Sequence, residues 1–275
     1  MSFLSISTWS LHRKIGPLRR HVWDEDEKKI CVDIENQPEH IELEALPAIL
    51  ADKGFKAVEI CHFHFPSTEP AYLEVLRQAC ERSYLTIHTL LVDYGDLSST
   101  DESRIRADMA FIKEWIEVAY AVGAKYVRVI AGKSEPTDGA ALRRVSQHLN
   151  ELVIYAQPFN IGIITENFQA LTSEADNCLY LVQQSIEQVK LITDFGNFNG
   201  PSKYNDLAKT LPYSVSVHAK PDFDVNGIPD QTEFEKCLDI LNDQSYNGPI
   251  TLIYDGPGDM WSGIARVRKI VEPFL

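Results

Sequence analysis

Three side chains in this 275-residue sequence stand where metal-assisted chemistry could begin: Glu166, Asp194 and His218. Each closes a short hydrophobic run. Glu166 follows IGIIT, Asp194 follows VKLIT, and His218 follows YSVSV. An acid at the end of a buried strand is costly unless something positive meets it. Two carboxylates and an imidazole aimed at a common point suit Mn²⁺, Zn²⁺, Co²⁺ or Mg²⁺, with positions left open for substrate or water. Taken singly, each is as readily a structural ion pair or a core histidine. Their recurrence at matching strand ends favours one shared site.

The elements that must position these residues alternate in type. Hydrophobic patterning predicts strands over residues 3–9, 56–61, 85–91, 125–130, 161–166, 189–194, 213–218 and 249–255. It predicts helices over 41–53, 70–83, 102–122, 139–157, 173–185, 203–211, 231–242 and 260–271. Strict alternation implies a parallel sheet, and eight repeats imply closure into a single (β/α)8 TIM barrel spanning residues 1–275, α/β in class. An open doubly wound sheet is disfavoured because no glycine-rich fingerprint follows the first strand. Gly132-Lys133-Ser134 is the nearest imitation of a phosphate loop, but the first glycine of such a loop would fall at Val127, inside a strand. Residues 13–40 form a long insert of weak periodicity after the first strand, either a lid or a surface elaboration.

In such a barrel the strand ends carry the chemistry. Beyond the three residues above, strand two holds Glu59 and leads into His62 and His64, strand three holds His88, and strand four holds Arg128. His62, His64, His88 and Arg128 are candidate substrate-binding residues. For His62 and His64 a solvated loop pair is the equal alternative, and for Glu59 and His88 a structural polar layer is favoured. Trp9, Phe63, Phe195 and Trp261 lie near strand ends and are candidates to pack on an apolar face of a small molecule, although core filling is the commoner role.

Composition narrows the field. A formal net charge of −14 argues against a nucleic-acid or anionic-membrane surface, both of which need a basic footprint. It leaves a small-molecule partner, and a homo-oligomer, open. The five cysteines are scattered, odd in number and never C-x-x-C, which suits a reducing compartment. No signal-peptide pattern opens the chain, so a cytoplasmic location is the default expectation.

The segments GFKAVEI (54–60), GAKYVRVI (123–130), IITEN (163–167), TDFGN (193–197), VHAK (217–220) and NGPITLIYDGPGD (247–259) resemble the xylose isomerase-like TIM-barrel superfamily. That superfamily comprises sugar isomerases and epimerases, inosose and dehydroshikimate dehydratases, and endonuclease IV. The resemblance covers nearly the whole chain. It implies one divalent metal held at the ends of strands five to eight by Glu166, Asp194, His218 and a fourth acid. Where members commonly read I-E-Y-E-G-P-G-D, this chain has Ile253 in the ligand's place. An isoleucine cannot bind metal. Asp255 shares its face one layer nearer the mouth, so it is the candidate fourth ligand or acid/base, with a turn aspartate before Gly256 as the equal alternative. Lys220 resembles the family's H-x-K lysine, and Asn197 stands where some epimerases carry a histidine; both are counted as substrate-binding.

The implied activity is a divalent-metal-dependent isomerase or epimerase of a small sugar, keto sugar or polyol-derived substrate, moving a proton through a metal-stabilised enediolate. Glu166 and Asp255 are the candidate catalytic residues. With the strand-eight glutamate replaced, a dehydratase or a catalytically inactive metabolite-binding barrel are the alternatives. Endonuclease-type DNA repair is disfavoured by the charge.

Overall fold

Eight strands run parallel because each is returned to the same edge by a helix, and short buried runs such as Ala-Val-Glu-Ile-Cys leave no face for solvent. A computed structural model describes residues 1–186 and 189–275. In chain order the elements are β1 (Phe3–Ser7), β2 (Leu18–Asp24), β3 (Lys29–Glu35), α1 (Leu46–Asp52), β4 (Ala57–Cys61), α2 (Pro70–Arg82), β5 (Thr86–Leu91), α3 (Glu102–Val122) and β6 (Tyr126–Arg128). There follow α4 (Gly139–Ala156), β7 (Gly162–Glu166), α5 (Ala175–Gln183), β8 (Lys190–Asp194), α6 (Lys203–Thr210), β9 (Ser214–Ala219), α7 (Gln231–Asp243), β10 (Pro249–Leu252) and α8 (Met260–Val271). Strands β1, β4, β5, β6, β7, β8, β9 and β10 close a barrel, with β1 seated between β4 and β10. The chain is therefore an α/β TIM barrel, as its alternation implies.

The helices cover the barrel with apolar stripes. In α8 the buried residues Met260, Ile264, Val267 and Val271 recur at helical spacing and face inward, and Asp259 caps its start by accepting from the Ser262 N–H. Each fully buried aliphatic side chain of this kind stabilises by about 1.5–3 kcal/mol. Gly123 ends α3 with φ +75°, a left-handed turn that costs a glycine little and releases the chain into β6. Helix α1 begins at Leu46 rather than at residue 41, because Pro47 fits only the first turn of a helix.

The insert after β1 is not a structureless loop. Its strands β2 and β3 form an antiparallel hairpin paired from Leu18↔Glu35 to Asp24↔Lys29, based on an Ile15↔Glu39 bridge. A period-two pattern, Ile30, Val32 and Ile34 between more polar neighbours, underlies it. The acidic run 24–27 supplies the turn, with Lys28 at φ +50°. Lys28 Nζ reaches Asp101 Oδ2 at 3.0 Å and ties that turn to the start of α3. The first strand is also shorter than its pattern predicts: Trp9 belongs to a 3-10 turn, Thr8–Leu11, fixed by Ser7 Oγ accepting from the Trp9 N–H.

Candidate metal centre and substrate pocket

Neighbouring strands β7, β8 and β9 deliver the three residues to one level. Glu166 and Asp194 end their strands, and Asp194 pairs with His218 in the β8–β9 register. One ligand atom from each lies within 4.8 Å of the other two. His218 Nδ1 is 3.5 Å from both Glu166 Oε1 and Asp194 Oδ2. All three side chains are buried.

Local bonds fix each candidate ligand. Asn167 clamps the backbone of Asp194, accepting from its N–H at 2.7 Å and donating to its carbonyl at 2.9 Å. The Gly196 N–H donates to Asp194 Oδ1 at 2.7 Å, leaving Oδ2 directed at His218. A Cβ at Gly196 would lie 3.0 Å from Lys220 Cδ, so a larger residue in the turn after Asp194 would have to displace the lysine side chain. Asn197 donates to Glu166 Oε1 at 3.2 Å.

Beneath them lies Glu59 of β4, fully buried. It accepts from His218 Nε2 at 2.8 Å, from Thr251 Oγ1 at 3.0 Å and from Ser216 Oγ. Because Nε2 must carry the hydrogen in that bond, the ring, once neutral, would present its Nδ1 lone pair to the two carboxylates. Burial alone would push the Glu59 carboxyl up, but the adjacent His218 brings it down to about 2. Burial likewise opposes charge on His218, yet Glu166 and Glu59 raise it well above its ordinary value. Glu166 is lowered in spite of its burial, chiefly by Arg128. The Arg128 guanidinium sits 3.0 Å from Glu166 Oε2 and 2.6 Å from Asp93 Oδ1. Its contact with Oε2 is not aligned as a hydrogen bond, so that buried oxygen lacks a hydrogen-bond donor.

A divalent cation fits this donor set. Two buried carboxylates beside one imidazole nitrogen repel each other unless a positive charge stands between them. Glu166 and Asp194 each keep an oxygen turned to that point, and Glu59 holds the ring in the ligating tautomer.

A pocket of about 360 Å³ opens over the cluster. Of the sequence-predicted residues, Glu166, Asp194, His218, Arg128, Asn197, Lys220, Asp255 and Ile253 line it. Asp255 forms an ion pair with Lys220 at 3.0 Å and lies outside the three-ligand group. His62, His64 and His88 stand away from the pocket wall. His62 accepts from the Asp93 N–H at 3.0 Å and meets His21 of the hairpin at 3.2 Å; His64 bonds Thr8 Oγ1 at 2.8 Å. Neither is a solvated loop residue, both being 1% exposed. His88 lies inside the barrel, 3.7 Å from Glu59. Trp9 and Phe63 line the pocket, whereas Phe195 is buried against Phe234 and Trp261 packs on Lys53.

Two charged pocket residues, Asp93 and Arg20, are not among those the sequence singles out. Asp93 follows strand β5 and obeys the same strand-end rule as the others, so that rule applied to Leu91-Val92-Asp93 finds it. Arg20 projects from β2 and has no signal without the hairpin.

No curated protein matches the chain in sequence. Among solved structures, an L-ribulose 3-epimerase is similar over 100% of this chain and 95% of its own, with a TM-score of 0.73 and 14% identity. A D-allulose 3-epimerase from Methylomonas sp. in complex with D-allulose is similar over 100% and 97%, with a TM-score of 0.70 and 15% identity. The probable 3-DHS dehydratase AsbF, involved in petrobactin synthesis in Bacillus anthracis, is similar over 98% and 99%, with a TM-score of 0.70 and 13% identity. At these identities the likeness establishes the fold. The family model described as "Xylose isomerase-like TIM barrel" matches residues 47–270, and on that span the chain belongs to the xylose isomerase-like TIM-barrel family.

Proposed function

We propose that this protein is a divalent-metal-dependent isomerase or epimerase of a small sugar, keto sugar or polyol-derived substrate. The observation that carries the reading is the convergence of Glu166 Oε1, Asp194 Oδ2 and the imidazole Nδ1 of His218 on one point at the pocket floor. A bound Mn²⁺, Zn²⁺, Co²⁺ or Mg²⁺ would supply electrophilic stabilisation of the charge that gathers on a substrate oxygen as the neighbouring carbon loses its proton. Glu166 carries that proton on Oε2, which is paired with the Arg128 guanidinium at 3.0 Å but accepts no aligned hydrogen bond. Lys220 is raised above its usual range, since Asp194 and Asp255 outweigh its burial, so it remains an ammonium that donates to a substrate oxygen. Asp255, poised by Lys220, serves as the second acid/base or as an outer ligand. Arg128 and Asn197 orient Glu166, and Trp9 and Phe63 offer apolar faces that exclude water. His62, His64 and His88 support the site from behind its walls.

The test is metal content followed by exchange. The purified protein should carry or take up one divalent ion and wash solvent deuterium into a ketose substrate. Glu166→Gln should lose that exchange. Absence of any bound divalent ion, together with a Glu166→Gln variant matching the parent, would overturn the reading.

Dehydration is a second reading, favoured by Ile253. Its apolar side chain lines the pocket and removes one carboxylate from the wall, which suits a one-base reaction as well as a two-base one. A product lighter by one water, seen by mass spectrometry, would identify it.

A further inference from the structure

We propose that Arg20 anchors an anionic group of the substrate, so that this barrel acts on a sugar-derived acid or phosphate rather than on a neutral sugar. The proposal rests on the reading above that the Glu166–Asp194–His218 floor is the reacting end. Three arginine or lysine side chains reach the pocket: Arg128, Lys220 and Arg20. Two are countered from within it. Arg128 lies between Asp93 and Glu166 at 2.6 and 3.0 Å, Lys220 lies 3.0 Å from Asp255, and all three acids also line the cavity. An anion approaching either cation meets its carboxylate partner as well.

Arg20 differs. Its ion-pair partner among the described residues is Glu35, bound through Nε at 3.1 Å, and Glu35 is on β3 outside the pocket wall. The two terminal guanidinium nitrogens have no hydrogen-bond partner among the described residues. They rest on an aromatic shelf, the guanidinium carbon 5.7 Å from the Trp9 ring centre and 5.4 Å from that of Phe63. Both rings line the cavity. A planar, pre-oriented pair of N–H donors beside apolar walls is the arrangement that binds a carboxylate or phosphate oxygen pair. The hairpin therefore does more than cover the barrel: it sets the distal end of the substrate, while β7, β8 and β9 set the reacting end.

Calorimetric titration of the Mn²⁺-treated protein with three probes, gluconate, glucitol 6-phosphate and glucitol, tests this. At least one anion should bind tenfold or more tightly than glucitol, and which anion wins separates a carboxylate from a phosphate. Arg20→Met should erase the preference while leaving glucitol within twofold; Arg20→Lys should keep part of it. Should the methionine variant fail to fold, Glu35→Gln, which frees the guanidinium, should strengthen anion binding about threefold. Equal binding of all three probes, binding of none at millimolar concentration, or a preference that survives Arg20→Met overturns the proposal. Metal uptake measured on the same samples reports separately on the functional reading, and the anion preference can be read even if no ion binds.

Discussion

Replacing Glu59 by glutamine should weaken Mn²⁺ binding by about 5- to 30-fold although Glu59 touches no metal. The carboxylate accepts three hydrogen bonds, one from His218 Nε2 at 2.8 Å and two from the hydroxyls of Thr251 and Ser216. A glutamine can keep its oxygen on the imidazole and turn its amide to those hydroxyls, which lie 3.1 Å apart and can accept. Every bond then survives, and only the charge is lost. A charged hydrogen bond is worth about 1.5–3 kcal/mol against about 0.5–1.5 for a neutral one. The difference of about 1–2 kcal/mol falls on the basicity of His218 Nδ1, overlapping the about 10- to 100-fold effect of such supporting groups. Because the same charge also favours a proton on His218, the loss should be largest at high pH, where no proton competes. Chelator competition at pH 8.5 measures it, with circular dichroism confirming the fold. A folded Glu59→Gln protein whose Mn²⁺ affinity stays within twofold of the parent would refute the reasoning. Glu59→Ala is different: it leaves His218, Ser216 and Thr251 unpaired in the interior and should destabilise the barrel by about 3–5 kcal/mol, visible in urea unfolding.

Three further outcomes follow from the same geometry. Metal uptake should release a proton and strengthen as pH rises above 6.5, because His218 is raised well above that value by its carboxylate neighbours; in the metal-free protein the stability from that imidazolium is complete below 6.5 and fades as pH climbs through the raised value, and calorimetry in buffers of different ionisation enthalpy counts the proton. Ile253→Glu should tighten Mn²⁺ binding tenfold or more while lowering the thermal midpoint in EDTA, since the new carboxylate faces the site beside two others; a midpoint insensitive to EDTA would contradict this. Gly263→Ala would put a Cβ 2.1 Å from Tyr254 Cζ, so the ring must shift, at a cost of about 1–3 kcal/mol read as a lowered thermal midpoint without loss of metal.

How much of this was legible in the sequence differs from residue to residue. Glu166, Asp194 and His218 were legible because a parallel strand in an α/β barrel ends at a common rim, so position along the pattern translates into position in space. Arg20 was not, since the charged turn 24–27 conceals the two-residue alternation of the hairpin on either side. Burial of His62 and His64 was also hidden. Both follow β4 in a short 3-10 turn, His62–His64, that packs under the hairpin, with His62 also set against Phe111 and Trp115 of α3, and none of these partners is local in sequence. For Asp255 the deciding fact is Lys220, 35 residues earlier in the chain, and no local pattern announces a partner on another strand.

The bond between Glu59 and His218 joins β4 to β9, across an interior that exists only when β1 has slotted between β4 and β10. Glu59 thus supports a candidate ligand 159 positions later, inside a ring that the amino-terminal strand closes. Metal affinity then becomes a gauge of whether the ring of strands has shut. Substitutions that loosen the seam of Leu4 and Ile6 against Ile250 and Leu252 would weaken the ion's hold without touching one of its ligands, and saturating metal would in turn draw a half-open chain toward closure.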